Sequence, residues 1–242
     1  KIVFNDRALE KAVREAIKKP QGTVTTEDVR NIKELDLIEK GIKDISALAH
    51  FKNLQELRLT ENQISDISPL QGLNKLTHLN LGLNQINDLI PLQGLTNLAW
   101  LNLESNQISD INPLQGLSNL SMLQLGENGI SNISPLQGLT NLTILYLYTN
   151  QISDISPLQG LTNLGLLSIG ANQISDISPL QGLTNLTELW LYDTQISDIS
   201  PLQGLTNIKT LSLKNNPVKQ SDTGIKTNVS QAKPQPKAAN NS

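Results

Sequence analysis

Side chains able to carry chemistry are scarce in this chain. Among its 242 residues are two histidines, His50 and His78, one methionine and no cysteine. Thiolate nucleophiles, thiolate metal sites, disulfides and iron–sulfur clusters are therefore excluded. No G-x-S-x-G elbow, H-E-x-x-H pair or phosphate-cradling glycine loop occurs. The one regular array of ionisable groups is Asp44, Asp66, Asp88, Asp110, Asp154, Asp176 and Asp198, interrupted by Asn132. Stacked about 4.8 Å apart, such carboxylates would repel one another or share calcium. Capping is the simpler use, each Asp accepting from amides of the turn that follows it. The sequence thus predicts a protein that is not an enzyme, with no cofactor and no metal site. His78 is expected to touch a partner and His50 to be structural.

The remaining chemistry is recognition, and its carriers are grouped. Both tryptophans, all three tyrosines and the methionine fall within Trp100, Met122, Tyr146, Tyr148, Trp190 and Tyr192. They recur at positions related by 22 residues, which calls for the elements that hold them.

Leu57, Leu79, Leu101, Leu123, Leu145, Leu167, Leu189 and Leu211 repeat every 22 residues, each followed two places later by a second leucine or by Ile169. One unit runs Leu54-x-x-Leu57-x-Leu59-x-x-Asn62-x-Ile64-x-x-Ile67-x-Pro69-Leu70-x-x-Leu73, the pattern of a leucine-rich repeat. Leu57 and Leu59 alternate with Glu56, Arg58 and Thr60, as in a short strand with one buried face. Asn62, Asn84, Asn106, Asn128, Asn150, Asn172 and Asn216 form a column able to satisfy backbone groups inside the coil, broken at Lys40 and Thr194. Ser68-Pro69-Leu70-Gln71-Gly72 reads as an N-cap, a first-turn proline and a glycine stop.

The fold class expected is a curved α/β leucine-rich-repeat solenoid. It has a concave parallel sheet, short 3-10 or helical turns on the convex side, and an N-terminal helical cap. Residues 1–31 supply the cap, with Asn5 or Asp6 starting one helix, Pro20 stopping it, and Thr25 or Thr26 starting a second. Residues 32–218 hold about nine units. Residues 219–242, rich in Lys, Pro and Gln, read as a disordered tail or linker.

Within the units the convex segment is nearly a copy each time, whereas the outward strand positions vary. Glu34, Glu56, His78, Trp100, Met122, Ile144, Leu166, Glu188 and Thr210 precede the first strand leucine. Asp36, Arg58, Asn80, Asn102, Gln124, Tyr146, Ser168, Trp190 and Ser212 lie between the two. With the strand leucines facing the core, the aromatic residues are expected to stand in solvent, where replacing them would barely change stability. They predict a protein-binding patch of Trp100, Met122, Ile144, Tyr146, Tyr148, Leu166, Trp190 and Tyr192. His78, Glu56 and Arg58 flank it, and an acidic wing of Glu34, Asp36, Glu39, Glu56 and Glu61 suits a partner with basic groups. The alternatives are a scaffolding module of a larger protein and a sugar-binding surface.

A net charge of -3 with dispersed Lys and Arg argues against nucleic acid. No run of eighteen apolar residues occurs, so no membrane insertion is expected, and the protein is read as a monomer.

The phrase Gln151-Ile152-Ser153-Asp154-Ile155-Ser156-Pro157-Leu158 and its copies resemble the 22-residue repeats of the bacterial internalin-like family. The stretch Val3-Phe4-Asn5-Asp6, Leu9, Ala12-Val13 and Thr26-Glu27-Asp28-Val29 is similar to that family's helical cap. The resemblance implies a secreted or surface-displayed protein that binds other proteins along its concave sheet. Eukaryotic phosphatase-regulating proteins share the repeat type, which keeps a cytoplasmic location as the alternative.

Overall fold

Asparagine amides lock one turn of chain to the next. Asn84 shows the pattern: its Oδ1 accepts from Ile64 N–H at 3.0 Å, twenty residues earlier, while Nδ2 donates to the carbonyls of Leu59, Leu81 and Gly82. Asn62, Asn106, Asn128, Asn150 and Asn172 repeat these bonds in their own coils. Because each amide reaches the same atoms of the preceding coil, successive coils stack without offset.

The computed structural model describes residues 1–218. Nine three-residue strands form one parallel sheet in chain order. They are β1 (Glu34–Asp36), β2 (Glu56–Arg58), β3 (His78–Asn80), β4 (Trp100–Asn102), β5 (Met122–Gln124), β6 (Ile144–Tyr146), β7 (Leu166–Ser168), β8 (Glu188–Trp190) and β9 (Thr210–Ser212). Every register step is 22 residues, as in Leu57 beside Leu79 and Leu145 beside Leu167. Opposite the sheet run short 3-10 turns, from Ser46–His50 and Ser68–Leu70 to Ser200–Leu202. Between the two layers lies an aliphatic core in which Leu57, Leu59, Ile64, Ile67 and Leu70 of one coil, and their copies, are almost wholly buried, apart from the last coil, where Leu213 is partly buried. This is the curved leucine-rich-repeat solenoid that the spacing predicts.

Each coil bends inward through a residue in the left-handed region placed just before the ladder position. Glu39, Glu61, Leu83, Ser105, Glu127, Thr149, Ala171, Asp193 and Asn215 have φ between 51° and 60°. The conformation costs an L residue about 1–2 kcal/mol, which the amide bonds of the following asparagine offset in all but the coils of Lys40 and Thr194.

The convex turns differ from expectation in one detail. Ile67, not Ser68, occupies the cap position, and the acceptor comes from one residue further back: Asp66 Oδ1 takes Ser68 N–H at 2.8 Å. Asp44, Asp88, Asp110, Asp154, Asp176, Asp198 and Asn132 do the same for the residue two places on. A 3-10 turn leaves its first N–H pointing at the side chain two residues earlier, so a short carboxylate or amide there captures it. These bonds hold the Asp154, Asp176 and Asp198 carboxyls below the ordinary range.

At the N-terminus, α1 (Arg7–Ala16) and α2 (Thr26–Val29) cover the first coil with Ile2, Leu9, Val13, Val24 and Val29. Asp6 starts α1 by accepting from Ala8 and Leu9, and its other oxygen accepts from Lys43 and Asp44 of the first coil. One carboxylate thus caps the helix and fastens it to the solenoid. The helix ends before Pro20 is reached, because Lys18 turns left-handed (φ 55°) while Lys18 and Lys19 N–H bond Glu15 and Arg14 carbonyls. Thr25 caps α2 in a capping box with Asp28. Residues 219–242, read above as a tail, lie outside the described residues.

Two outcomes are expected. Thr194, a ladder position lacking an amide, spends its hydroxyl within its own and the next coil, on Leu191 and Asn216. Thr194→Asn should stabilise the protein by about 1 kcal/mol, whereas Asn150→Ala, which strands a buried N–H and carbonyls, should cost about 3 kcal/mol in urea unfolding. At the cap, Lys19 and Thr25 hold the Asp28 carboxyl at about 2, below its unfolded value of 3.8. Its contribution is therefore complete above pH 3.8 and is lost as pH falls through about 2. The Tm of Asp28→Asn should accordingly lie below that of the parent at neutral pH and converge with it on acidification.

Candidate functional site

The ladder sets strand positions in columns, so the concave face can be read as rows of side chains 22 residues apart. The row before the first strand leucine pairs Trp100 with Met122, Met122 with Ile144, and Ile144 with Leu166 on β4 to β7. All four are half-buried and present apolar surface to solvent. His78 extends the row on β3, its ring centroid 5.9 Å from that of Trp100. At about 4.8 Å per strand the stretch from Trp100 to Leu166 is about 14 Å long.

The other aromatic residues depart from the sequence-based expectation. Tyr146, Tyr148, Trp190 and Tyr192 do lie on the concave side, but they pack on one another and retain only 4–7% of their surface. Ile144, Leu166 and Ala171 pack against them. The reason is alternation of large and small residues across neighbouring strands. Ser168 separates Tyr146 from Trp190 in register. Gly126 and Gly170 lie beneath the rings of Tyr148 and Tyr192, where an added Cβ would fall 2.6 Å and 2.5 Å from ring carbons. Each ring therefore lies down over the coil before it, and the cluster closes. Stacking faces that a sugar would need are covered in this cluster.

Tyr148 reaches furthest. Its hydroxyl passes over Gly126 and donates to the carboxylate of Glu104 two coils away, a separation of about 10 Å between strands. Burial, followed by the hydrogen bond to Glu104, pushes the Tyr148 phenol well above its usual range. Burial likewise raises the Glu104 carboxyl, against the lowering effect of Tyr148 and with help from nearby Glu127. Tyr192 is pushed up to about 12, by burial first and then by Asp193. These phenols stay protonated and act as donors or packing surface, not as bases. Trp190 Nε1 is buried without a hydrogen-bond partner among the described residues.

Glu56 and Arg58 lie apart from the aromatic cluster, on β2. Glu56 is flanked by Glu34 and His78, and Arg58 faces Asp36 at 3.6 Å. Part of the acidic wing is thus neutralised within the chain. The sequence reading passed over Glu104, Gly126 and Gly170. Their signal was present in the column Gly82, Glu104, Gly126, Tyr148, Gly170, Tyr192, where a glycine stands 22 residues before each tyrosine. Among the described residues no group of three or more His, Asp or Glu side chains is placed to hold a metal ion. No helix among them is long and apolar enough to cross a membrane.

Comparison with known proteins agrees with this architecture. A family model for leucine-rich repeats in two copies matches residues 30–72, 52–95, 96–138, 118–160, 140–182 and 184–226. The structure of internalin C2 from Listeria monocytogenes is 43% identical with a TM-score of 0.85, over 87% of this chain and 94% of that one. The chain belongs to the internalin-like leucine-rich-repeat family. Other similar structures of the repeat class are a leucine-rich-repeat protein of Leptospira interrogans and the plant peptide hormone receptor RGFR1 in complex with RGF2. The first is 25% identical with a TM-score of 0.66, over 81% of this chain and 58% of that one. The second is 26% identical with a TM-score of 0.65, over 72% and 30%. No curated protein matches. Leucine-rich-repeat proteins generally serve protein–protein interaction.

Burial of the aromatic cluster changes what its variants should do. Trp190→Ala and Tyr146→Ala are expected to cost about 3 kcal/mol or more of stability, as core aromatic truncations do. Gly126→Ala should cost about 1–3 kcal/mol by overpacking the Tyr148 ring. The same change in a Tyr148→Ser background should be nearly neutral, a coupling that a double-mutant cycle in urea reads directly.

Proposed function

We propose that this chain is a protein-binding module whose ligand covers the open row Trp100, Met122, Ile144 and Leu166. The observation that carries the proposal is the in-register apolar row, open to solvent beside the closed aromatic cluster on a variable face. Its four side chains share solvent-facing apolar surface across adjacent strands, which matches the centre of an ordinary interface though not its full area. The convex side, by contrast, repeats the same polar turn in coil after coil. Tyr146, Tyr148, Trp190 and Tyr192 support the row from beside it and hold Ile144 and Leu166 in place. The kinship with internalin C2 favours a bacterial protein that works outside the cell, secreted or displayed on its surface. The plant receptor in complex with RGF2 is a precedent for ligand binding by the repeat class.

Affinity capture from a candidate host or bacterial lysate, followed by binding measurements on the captured protein, tests the reading. Trp100→Ala should weaken binding by about 2 kcal/mol or more and leave Tm nearly unchanged, because Trp100 is half-buried at the surface. Gln115→Ala and Gln159→Ala on the convex side should shift affinity by only a few tenths of a kcal/mol. Undiminished binding by Trp100→Ala together with loss on convex substitution would overturn the concave-face proposal.

A further inference from the structure

Charge on the concave face is matched unevenly. In the first coils Asp36 has Arg58 at 3.6 Å. Further along, Glu104 follows β4 and Glu127 follows β5, and no cation among the described residues lies within ion-pair distance of either. The two carboxylates repel each other enough that Glu127 adds to the rise of the Glu104 carboxyl. Both are nonetheless held in place. The Tyr148 hydroxyl donates to Glu104, and the Ser105 hydroxyl donates to Glu127 at 2.7 Å. Glu127 is exposed and Glu104 half-buried, so an approaching group can reach both.

A half-buried carboxylate without a counter-charge is costly, and one fixed by a hydroxyl donor is preorganised for a cation. This pair lies on the same face as the apolar row, beyond the intervening Asn102 and Gln124. Trp100 and Glu104 lie on the same side of one strand and its extension, four residues or about 13 Å apart. From this juxtaposition we propose that the ligand presents an Arg or Lys side chain to Glu104 and Glu127 while its apolar surface covers the row from Trp100 to Leu166. The inference rests on the concave-face reading and adds the partner's chemistry to it: a protein segment with a basic group about 13 Å from an apolar one. Net negative charge on the surrounding face, from Glu34, Glu56, Glu61, Glu188 and Asp193, steers such a segment inward.

The test uses random dodecapeptides displayed on phage and selected on the immobilised full chain. Peptides whose binding is lost in Trp100→Ala should be enriched in Arg or Lys. Their Kd should rise at least about tenfold in Glu104→Gln/Glu127→Gln, with a flatter salt dependence. Glutamine keeps the acceptor for Tyr148, so Tm should change little. Glu127→Lys should in turn restore binding of a selected peptide carrying Arg→Glu. If Trp100-dependent peptides bind the double glutamine variant within about twofold of the parent, or lack basic residues, the inference is wrong while the concave-face reading stands. If no selected peptide depends on Trp100, both fall.

Discussion

A single amide, present in all coils but those of Lys40 and Thr194, fixes almost everything else in this molecule. Asn62 and its copies satisfy N–H and carbonyl groups that would otherwise be buried and bare, and each does so across the joint between two coils. Since unsatisfied groups of that kind cost kilocalories apiece, coils can stack only at the height where the amide fits. Zero offset follows, and with it strands in register, leucines in layers, and a tolerated left-handed residue before every ladder position. Much of the stability resides in the coil joints and the leucine layers, which leaves outward strand positions outside the aromatic cluster free to vary.

That freedom is used in two ways on one face. In coils six to eight, large residues alternate with serine or glycine, so rings lie over their neighbours and exclude water. One coil row away, Trp100, Met122, Ile144 and Leu166 have similar-sized neighbours on each side and cannot bury themselves by leaning. The result is a closed aromatic platform beside an open apolar row. The platform stiffens the sheet and positions Glu104 through Tyr148. The row retains the unsatisfied apolar surface that a partner can cover.

Most of the architecture was legible from spacing alone. A 22-residue period, two alternating leucines and an asparagine column specify coil, strand and turn, because each of those residues has one physical role wherever it recurs. The helical cap was legible from Asp6, Thr25 and the 3.6-residue spacing of Leu9 and Val13. Finer features depended on more than one residue at a time. Ser68 looked like a cap until the 3-10 geometry gave the role to Asp66. Exposure of Tyr146, Tyr148, Trp190 and Tyr192 was misread because alternation along a strand gives a side chain's face but not its cover. That cover comes from residues 22 positions away, and reading it required comparing Tyr148 with Gly126 and Tyr192 with Gly170.

The division of the concave sheet into a closed platform and an open row is open to direct measurement, because each part holds one of the two tryptophans. Acrylamide quenching of fluorescence in Trp190→Phe, which retains Trp100, and in Trp100→Phe, which retains Trp190, compares the two sites in otherwise equal proteins. Trp100 should be quenched readily and Trp190, with 7% of its surface exposed, should be shielded severalfold. Equal quenching of the two, in variants shown to be folded, would contradict the account.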